Sequence, residues 1–183
     1  DQEIKTNDTE VDNGLLYVAS FTSVTKNTIE CARNALGQKV FEQSQFVDLG
    51  CGKGKAILIF AKHYGSIVKF PSVGIEYDRN LAAIAERNIN KCNFASKKAR
   101  VFADSAMNLS SYISAEVIVV YLYNSFQGDT FKKVMDLLGN IPHVLIYVDP
   151  TERSVLKDYG YSIIRERNGS YNANTWLVAT SGL

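Results

Sequence analysis

The chain has 183 residues, with 20 Lys and Arg against 19 Asp and Glu, and 46% of its residues are hydrophobic. This length and apolar content predict one globular domain with a real core, and they exclude a chain that is disordered throughout. The net charge of +1 argues against a protein that binds nucleic acid through bulk charge.

Cysteine usage and hydropathy point to a reducing, cytoplasmic location. The three cysteines, Cys31, Cys51 and Cys92, follow neither a disulfide framework nor a zinc-ligand spacing. We therefore expect no metal site. No apolar run reaches about 18 residues, so no membrane span is predicted.

Strands and helices alternate along most of the sequence. Residues 1–13 predict a loose polar arm, and 24–41 predict a helix that Ser23 caps. Further strands are predicted at 46–49, 72–77, 100–103, 116–123 and 144–148. Further helices are predicted at 55–64, 79–93, 130–138 and 151–159.

Two more strands, 161–167 and 171–180, end the chain, and Asn168-Gly169 between them predicts a tight hairpin turn. Alternating strands and helices predict an α/β fold with a doubly wound, seven-stranded, mostly parallel sheet. The hairpin adds an antiparallel strand at the C-terminal end. Ligands of such sheets lie outside the carboxyl ends of the strands, at the switch point of the strand order.

A glycine-rich segment follows the first predicted strand. Gly50, Gly52 and Gly54 stand at alternate positions before a helix, and Glu76 ends the next strand. Glycines let a ligand approach the backbone, and a carboxylate at that position can accept hydrogen bonds from ribose hydroxyls. The combination indicates an adenosine-containing ligand. Lys55 stands where a dinucleotide-binding loop needs its third glycine, which disfavours a nucleotide-dependent oxidoreductase.

These residues resemble the motifs of class I S-adenosylmethionine-dependent methyltransferases, whose fold is Rossmann-like. The match covers Asp48-Leu49-Gly50-Cys51-Gly52-Lys53-Gly54, the acid Glu76, and a second acid, Asp104, after the third strand. The resemblance implies S-adenosyl-L-methionine as cofactor and S-adenosyl-L-homocysteine as product. It also implies that 23–183 form the methyltransferase domain.

The resemblance assigns cofactor contacts to particular residues. Asp48 would hold the glycine loop near the methionine amino group, and Glu76 would bind the ribose. Tyr77 would cover the adenine, and Asp104, with Ser105 beside it, would bind the adenine amine. The full implied set is Asp48, Gly50, Cys51, Gly52, Gly54, Glu76, Tyr77, Asp104 and Ser105.

The segment Asn124-Ser125-Phe126, after the fourth strand, stands where this family places its catalytic motif. It is similar to an Asn-Pro-Phe variant, with Ser in place of Pro. Asn124 and Phe126 are therefore candidate target-facing residues. Tyr123 is a third candidate, and Tyr121 and Asp149, also at strand ends, are possible helpers. The alternative is that Asn124 only caps the next helix.

The acceptor predicted from these features is an amine, on a protein side chain such as lysine or on a small molecule. Nucleic acid is less favoured because the chain is nearly neutral. The alternatives are a non-catalytic S-adenosylmethionine-binding module and an RNA or DNA base methyltransferase. The N-terminal residues 1–22 are a candidate lid, with Tyr17 and Phe21 either over the cofactor or in the core.

Overall fold

A computed structural model describes residues 20–170 and 174–181, which form one seven-stranded sheet with helices on both faces. The strands are β1 (Gln45–Leu49), β2 (Ser72–Glu76), β3 (Ala99–Ala103), β4 (Ile118–Tyr123), β5 (His143–Val148), β6 (Ser162–Arg167) and β7 (Trp176–Thr180). Their order is β3-β2-β1-β4-β5-β7-β6. Strands β1 to β5 are parallel, and β7 is antiparallel to both β5 and β6. The predicted fold class is confirmed.

The helices are α1 (Thr22–Leu36), α2 (Gln38–Gln43), α3 (Lys55–Tyr64), α4 (Arg79–Asn90) and α5 (Gly128–Leu138). Two 3₁₀ helices cover Ala106–Ser111 and Arg153–Tyr159, so the helix predicted at 151–159 is present but begins two residues later. The single helix predicted over 24–41 is also wrong. Gly37, with a φ of 76°, separates α1 from α2. Ser23 lies inside α1 and does not cap it, since the N-cap is Phe21.

The connection between the last two strands differs from the predicted two-residue turn. Arg167 at the end of β6 pairs with Trp176 at the start of β7, so residues 168–175 join them. The predicted strand at 171–180 therefore begins later, and its residues 171–173 lie outside the described part of the chain. The Asn168-Gly169 dipeptide predicted that the chain reverses direction here, but not the length of the connection between β6 and β7.

The buried core lies on both faces of the sheet. Val119 and Tyr121 of β4 point to the face covered by α1 and α3, where Phe46 stacks on Phe60 at a centroid distance of 4.4 Å. The alternate β4 residues point to the face covered by α5 and the 3₁₀ helices. Because both faces are covered, β4 and β5 are apolar along almost their whole length, as central parallel strands are.

The strand order reverses between β1 and β4. From β1 the chain winds outward through β2 and β3, and from β4 it winds the other way through β5. The loops that follow β1 and β4 therefore diverge and leave a crevice at the carboxyl edge of the sheet. This is where ligands of open α/β sheets bind.

Candidate functional site

The loop between β1 and α3 is folded tightly at the switch point. Gly50, Gly52 and Gly54 have φ angles of 76°, 53° and 81°, a region that residues with a side chain rarely adopt. The carbonyl of Ile75 accepts hydrogen bonds from the backbone N–H groups of Gly50 and Cys51, at 2.8 and 3.2 Å. These bonds fasten the loop to β2 and leave the amino end of α3 directed at the crevice.

Close packing also requires the first of these glycines. A Cβ added to Gly50 would lie 2.6 Å from both Cβ and Oγ of Ser125. Ser125 belongs to the segment after β4, so the two loops that flank the crevice touch at this point. At Gly54 an added Cβ would lie 3.2 Å from the Cβ of Ala85 on α4, a close contact that also favours glycine.

Glu76, at the carboxyl end of β2, binds the glycine loop. Its Oε2 accepts a 2.7 Å hydrogen bond from the backbone N–H of Gly52, and its Oε1 accepts one of 2.9 Å from Asp78. Burial raises the pKa of the Glu76 carboxyl, although these N–H donors oppose the shift. A carboxylate offers about four acceptor positions, so each oxygen retains capacity for a further donor.

Asp48 is a buried carboxylate with no described partner. Its side chain is 4% exposed, and within 20–170 and 174–181 no group donates a hydrogen bond to it. Burial raises its pKa well above the usual range, and the negative charge of Glu76 raises it further. No described Lys or Arg forms an ion pair with Asp48 or Glu76. Two carboxyl groups therefore lie buried at this edge of the sheet without an ion pair to a described cation, and burial disfavours their charged forms.

Cys51 contributes its backbone to the loop and its side chain to the core. The thiol is buried beside Gly74 of β2, where an added Cβ would lie 2.7 Å from Sγ. Burial raises the pKa of the thiol well above its usual range, and the charge of Asp48 adds to the effect. Cys51 is therefore a neutral packing residue, and its side chain belongs to the core cluster with Ile57 and Ile89.

The residues predicted to hold adenine follow β2 and β3 on neighbouring strands. Asp104 accepts hydrogen bonds from the Tyr112 hydroxyl, from the side chain of Asn108 and from the backbone of Ser105. These donors, Tyr112 first, lower the pKa of the Asp104 carboxyl. Ser105 caps the following 3₁₀ helix. Tyr77, directly after Glu76, is 40% exposed.

Asn124 lies at the carboxyl end of β4 in a left-handed conformation, with a φ of 42°. Its Nδ2 donates to Oδ2 of Asp149 at 2.9 Å, and its Oδ1 accepts from the hydroxyl of Thr151 at 2.7 Å. It does not cap α5, whose N-cap is Gln127, so the helix-cap alternative is wrong. The side chain instead joins the loops after β4 and β5.

A second hydrogen bond also joins the loops after β4 and β5. The sequence did not predict either bond. The Glu152 carboxylate accepts a 2.7 Å hydrogen bond from the backbone N–H of Gly128 at the start of α5. Asp149, like Asn124, has a positive φ, of 50°. Residues such as Asn and Asp tolerate that region, and the pattern of polar residues after both strands was the available signal.

The other candidates of this segment lie on opposite faces of the sheet. Phe126 is half-buried against the core beneath α5, whereas Tyr123 packs against the core beneath α1. Burial raises the pKa of Tyr123, and the negative charge of Asp149 adds to the shift. Tyr123 pairs across the sheet with Val148, the residue before Asp149. Tyr121 is buried, and its hydroxyl lies 3.2 Å from that of Thr25, so it serves packing.

The start of α1 is attached to the amino end of α3. Lys55 donates from Nζ to the backbone carbonyl of Ser20 at 2.6 Å, and the hydroxyl of Ser20 lies 2.9 Å from that of Thr25. The chain therefore enters the domain beside the glycine loop. Phe21 is 50% exposed there. Tyr17, the other residue predicted for a lid, lies outside the described residues.

The fold matches that of solved S-adenosylmethionine-dependent methyltransferases. An rRNA methylase from Streptococcus thermophilus matches with a TM-score of 0.59 at 11% identity, over 92% of this chain and 99% of the other. An RNA methyltransferase from Salinibacter ruber, in complex with S-adenosylhomocysteine, matches with a TM-score of 0.55 at 18% identity, over 90% and 92%. Magnesium protoporphyrin IX methyltransferase from Synechocystis, with bound S-adenosylmethionine, matches with a TM-score of 0.59 at 12% identity, over 87% of this chain and 78% of the other.

No protein-family model and no curated protein sequence matches the chain. Among the described residues, no helix is long and apolar enough to cross a membrane. No group of three or more His, Cys, Asp or Glu side chains in that same part of the chain is arranged to hold a metal ion.

Proposed function

We propose that the protein is a methyltransferase that uses S-adenosyl-L-methionine and transfers a methyl group to an amine. One observation carries the proposal. Two buried carboxylates, Asp48 and Glu76, lie beside a left-handed glycine loop at the switch point, and no described cation pairs with them. Carboxyl groups in this position suit an adenosine-containing ligand that carries positive charge.

The residues present fit that cofactor. Asp48 would attract the methionine ammonium, and the acceptor positions left on Glu76 would receive the ribose hydroxyls. Gly50, Gly52 and Gly54, with the backbone of Cys51, would let the ligand lie on the loop. Tyr77, Asp104 and Ser105 would border the adenine. When bound, the cofactor supplies a methyl group already activated on a sulfonium.

The chain's own contribution is then alignment. Correct placement of two reactants lowers the activation free energy of a bimolecular reaction by about 7–11 kcal/mol. Tyr123 ends β4, the strand next to β1, and Asn124 and Phe126 follow it; all three would border the acceptor side of the crevice. Oxygen atoms that accept hydrogen bonds, such as those of Tyr123 and Asp149, suit the N–H groups of an amine.

The proposed acceptor is an amine on a protein side chain, such as lysine, or on a small molecule. The net charge of +1 supports this class, because nucleic acid binding depends on neutralising many phosphates. An RNA base is the second candidate, since two of the similar structures are named as RNA or rRNA methylases. A binding module without catalysis is the third, because Asn124 is bound within the protein.

We further propose that 23–183 form the catalytic domain, that 1–22 are an arm beside the crevice, and that the protein acts in the cytoplasm. The position of Ser20 next to Lys55 supports the placement of the arm.

The acceptor class is tested by incubating the protein with S-adenosylmethionine labelled in its methyl group and a cell lysate. The lysate is then separated into protein, RNA and small-molecule fractions. We expect label in the protein or small-molecule fraction. Label in RNA alone would overturn the acceptor class while leaving methyl transfer intact. Cofactor binding with no labelled fraction would favour the binding module.

A further inference from the structure

The loops after β4 and β5 carry the two non-glycine residues that have a positive φ in the described chain, and these two are bonded to each other. Left-handed conformations cost free energy and persist where surrounding contacts hold them, often at functional sites. Asn124 and Asp149 also lie at the carboxyl edge of the sheet, and Asn124 is one residue from Ser125, which touches the glycine loop. The pair therefore stands beside the proposed cofactor site.

The bonding of Asn124 limits what it can do. Its amide nitrogen donates to Asp149 Oδ2, and its amide oxygen accepts from Thr151. Both ends of the amide are thus used within the protein. A residue with that bonding is better suited to hold a neighbour than to bind an incoming amine.

The bonding of Asp149 leaves one oxygen available. Its Oδ2 accepts from Asn124, and in the described residues no group donates to its Oδ1. The side chain is only half-buried, and Asp149 directly follows Val148, which pairs with Tyr123 on β4. The backbone of Asp149 is fixed as well, because its N–H donates to Thr175 and its carbonyl accepts from Thr151.

We propose that Asp149 binds the acceptor amine through Oδ1, and that Asn124 is a positioning residue that holds the Asp149 carboxylate in place. This inference rests on the proposed methyltransferase function. A hydrogen bond from an N–H of the acceptor to a fixed carboxylate would restrict the rotation of the amine and orient its lone pair. Hydrogen bonds to charged groups are strong enough for this role.

A pair of cofactor analogues tests the proposal without relying on turnover. In both, a nitrogen replaces the sulfur of S-adenosylhomocysteine. One carries an aminoethyl group on that nitrogen, which presents a primary amine where an acceptor would stand, and the other carries an ethyl group. We expect the wild-type protein to bind the aminoethyl analogue about tenfold or more tightly than the ethyl analogue, measured by calorimetry.

Three variants locate the source of that preference. Asp149→Asn keeps the shape and tolerates the positive φ, and it should reduce the preference to about twofold or less. Asn124→Gly keeps the backbone conformation but removes the bond to Asp149, and it should reduce the preference partly. Asp158→Asn, which removes an exposed aspartate, should keep it in full. S-adenosylhomocysteine, which lacks the added amine, should bind all three variants as it binds the wild type.

Two results would overturn the assignment: an undiminished preference in Asp149→Asn, or an equal loss of affinity for S-adenosylhomocysteine in that variant. The second result would give Asp149 a role in the fold or the cofactor site. Failure of the wild type to bind S-adenosylhomocysteine or either analogue would instead remove the proposed function, and the inference with it.

Discussion

The backbone N–H of Gly52 donates a 2.7 Å hydrogen bond to Oε2 of Glu76, a residue 24 positions later in the chain. The bond connects the glycine loop to the end of the neighbouring strand. The carboxylate proposed to bind the ribose therefore also holds the loop on which the cofactor would lie. Binding and loop geometry should respond together when either residue is changed.

The first prediction concerns the glycine at the contact between the two loops. Gly50→Ala should destabilise the protein by about 2–4 kcal/mol, because it adds left-handed strain and a clash with Ser125. Gly160→Ala is the control, since Gly160 is left-handed, with a φ of 72° and a ψ of 17°, but its added Cβ meets nothing within 4 Å. It should cost only the strain, about 1–2 kcal/mol. Urea denaturation measures both.

The two glycine variants should also differ in ligand binding. Gly50→Ala should weaken S-adenosylhomocysteine binding, while Gly160→Ala should leave it unchanged because Gly160 lies between the second 3₁₀ helix and β6. Equal stabilities and equal affinities for the two variants would show that the contact between Gly50 and Ser125 does not shape the site.

The second prediction concerns the buried carboxylate of Asp48. Asp48→Asn should stabilise the free protein and weaken binding of S-adenosylmethionine. The stabilisation is expected because burial raises the pKa of Asp48, so the folded protein bears the cost of a desolvated charge wherever the carboxyl is ionised. The exposed Asp158→Asn should change neither property. A destabilised Asp48→Asn would mean that the carboxylate has a partner in the free protein.

The sign of the pH dependence follows from the same raised pKa. In the folded state Asp48 holds its proton to higher pH than in the unfolded state, where its pKa is about 3.9. The destabilisation by Asp48 is therefore absent below about pH 3.9 and grows as the pH rises from there to the folded pKa. The stability gained by Asp48→Asn should increase from pH 4 to neutral pH. A constant or shrinking difference would contradict the assignment.

The sequence predicted the parts of the site that depend on neighbouring residues. The loop at Gly50, Gly52 and Gly54 and the strand end at Glu76 follow from local backbone requirements and apolar runs. The bond from Asn124 to Asp149 joins residues 25 positions apart, and no local pattern distinguishes it from a helix cap. Gly37 was an available signal for the break between α1 and α2, but the apolar spacing continued across it.

The third prediction concerns His143 at the start of β5. Its Nδ1 donates to the carbonyl of Ile141 at 2.7 Å, so Nε2 of the neutral ring accepts from the hydroxyl of Tyr161. Burial lowers the pKa of His143, so the unfolded chain binds its proton first as the pH falls below about 6.5. Stability should therefore fall with acidification, by at most about 1.4 kcal/mol per pH unit from this residue.

Urea denaturation between pH 5 and 8 measures how much of the pH dependence of stability comes from His143. His143→Gln should flatten the acid side of the profile, and His63→Gln, which changes an exposed ring, should keep most of the wild-type slope. An unchanged slope in His143→Gln would assign the acid sensitivity to other groups.

The central claim is that Glu76 and the glycine loop form the S-adenosylmethionine site, and titration calorimetry with S-adenosylhomocysteine tests it directly. The wild type should bind, and Glu76→Ala should bind at least about tenfold more weakly, as expected when charged hydrogen bonds to ribose are lost. Glu86→Ala, at an exposed position on α4, should bind as the wild type does. A folded wild-type protein that shows no binding at about 1 mM ligand, or a Glu76→Ala variant with unchanged affinity, would contradict the claim.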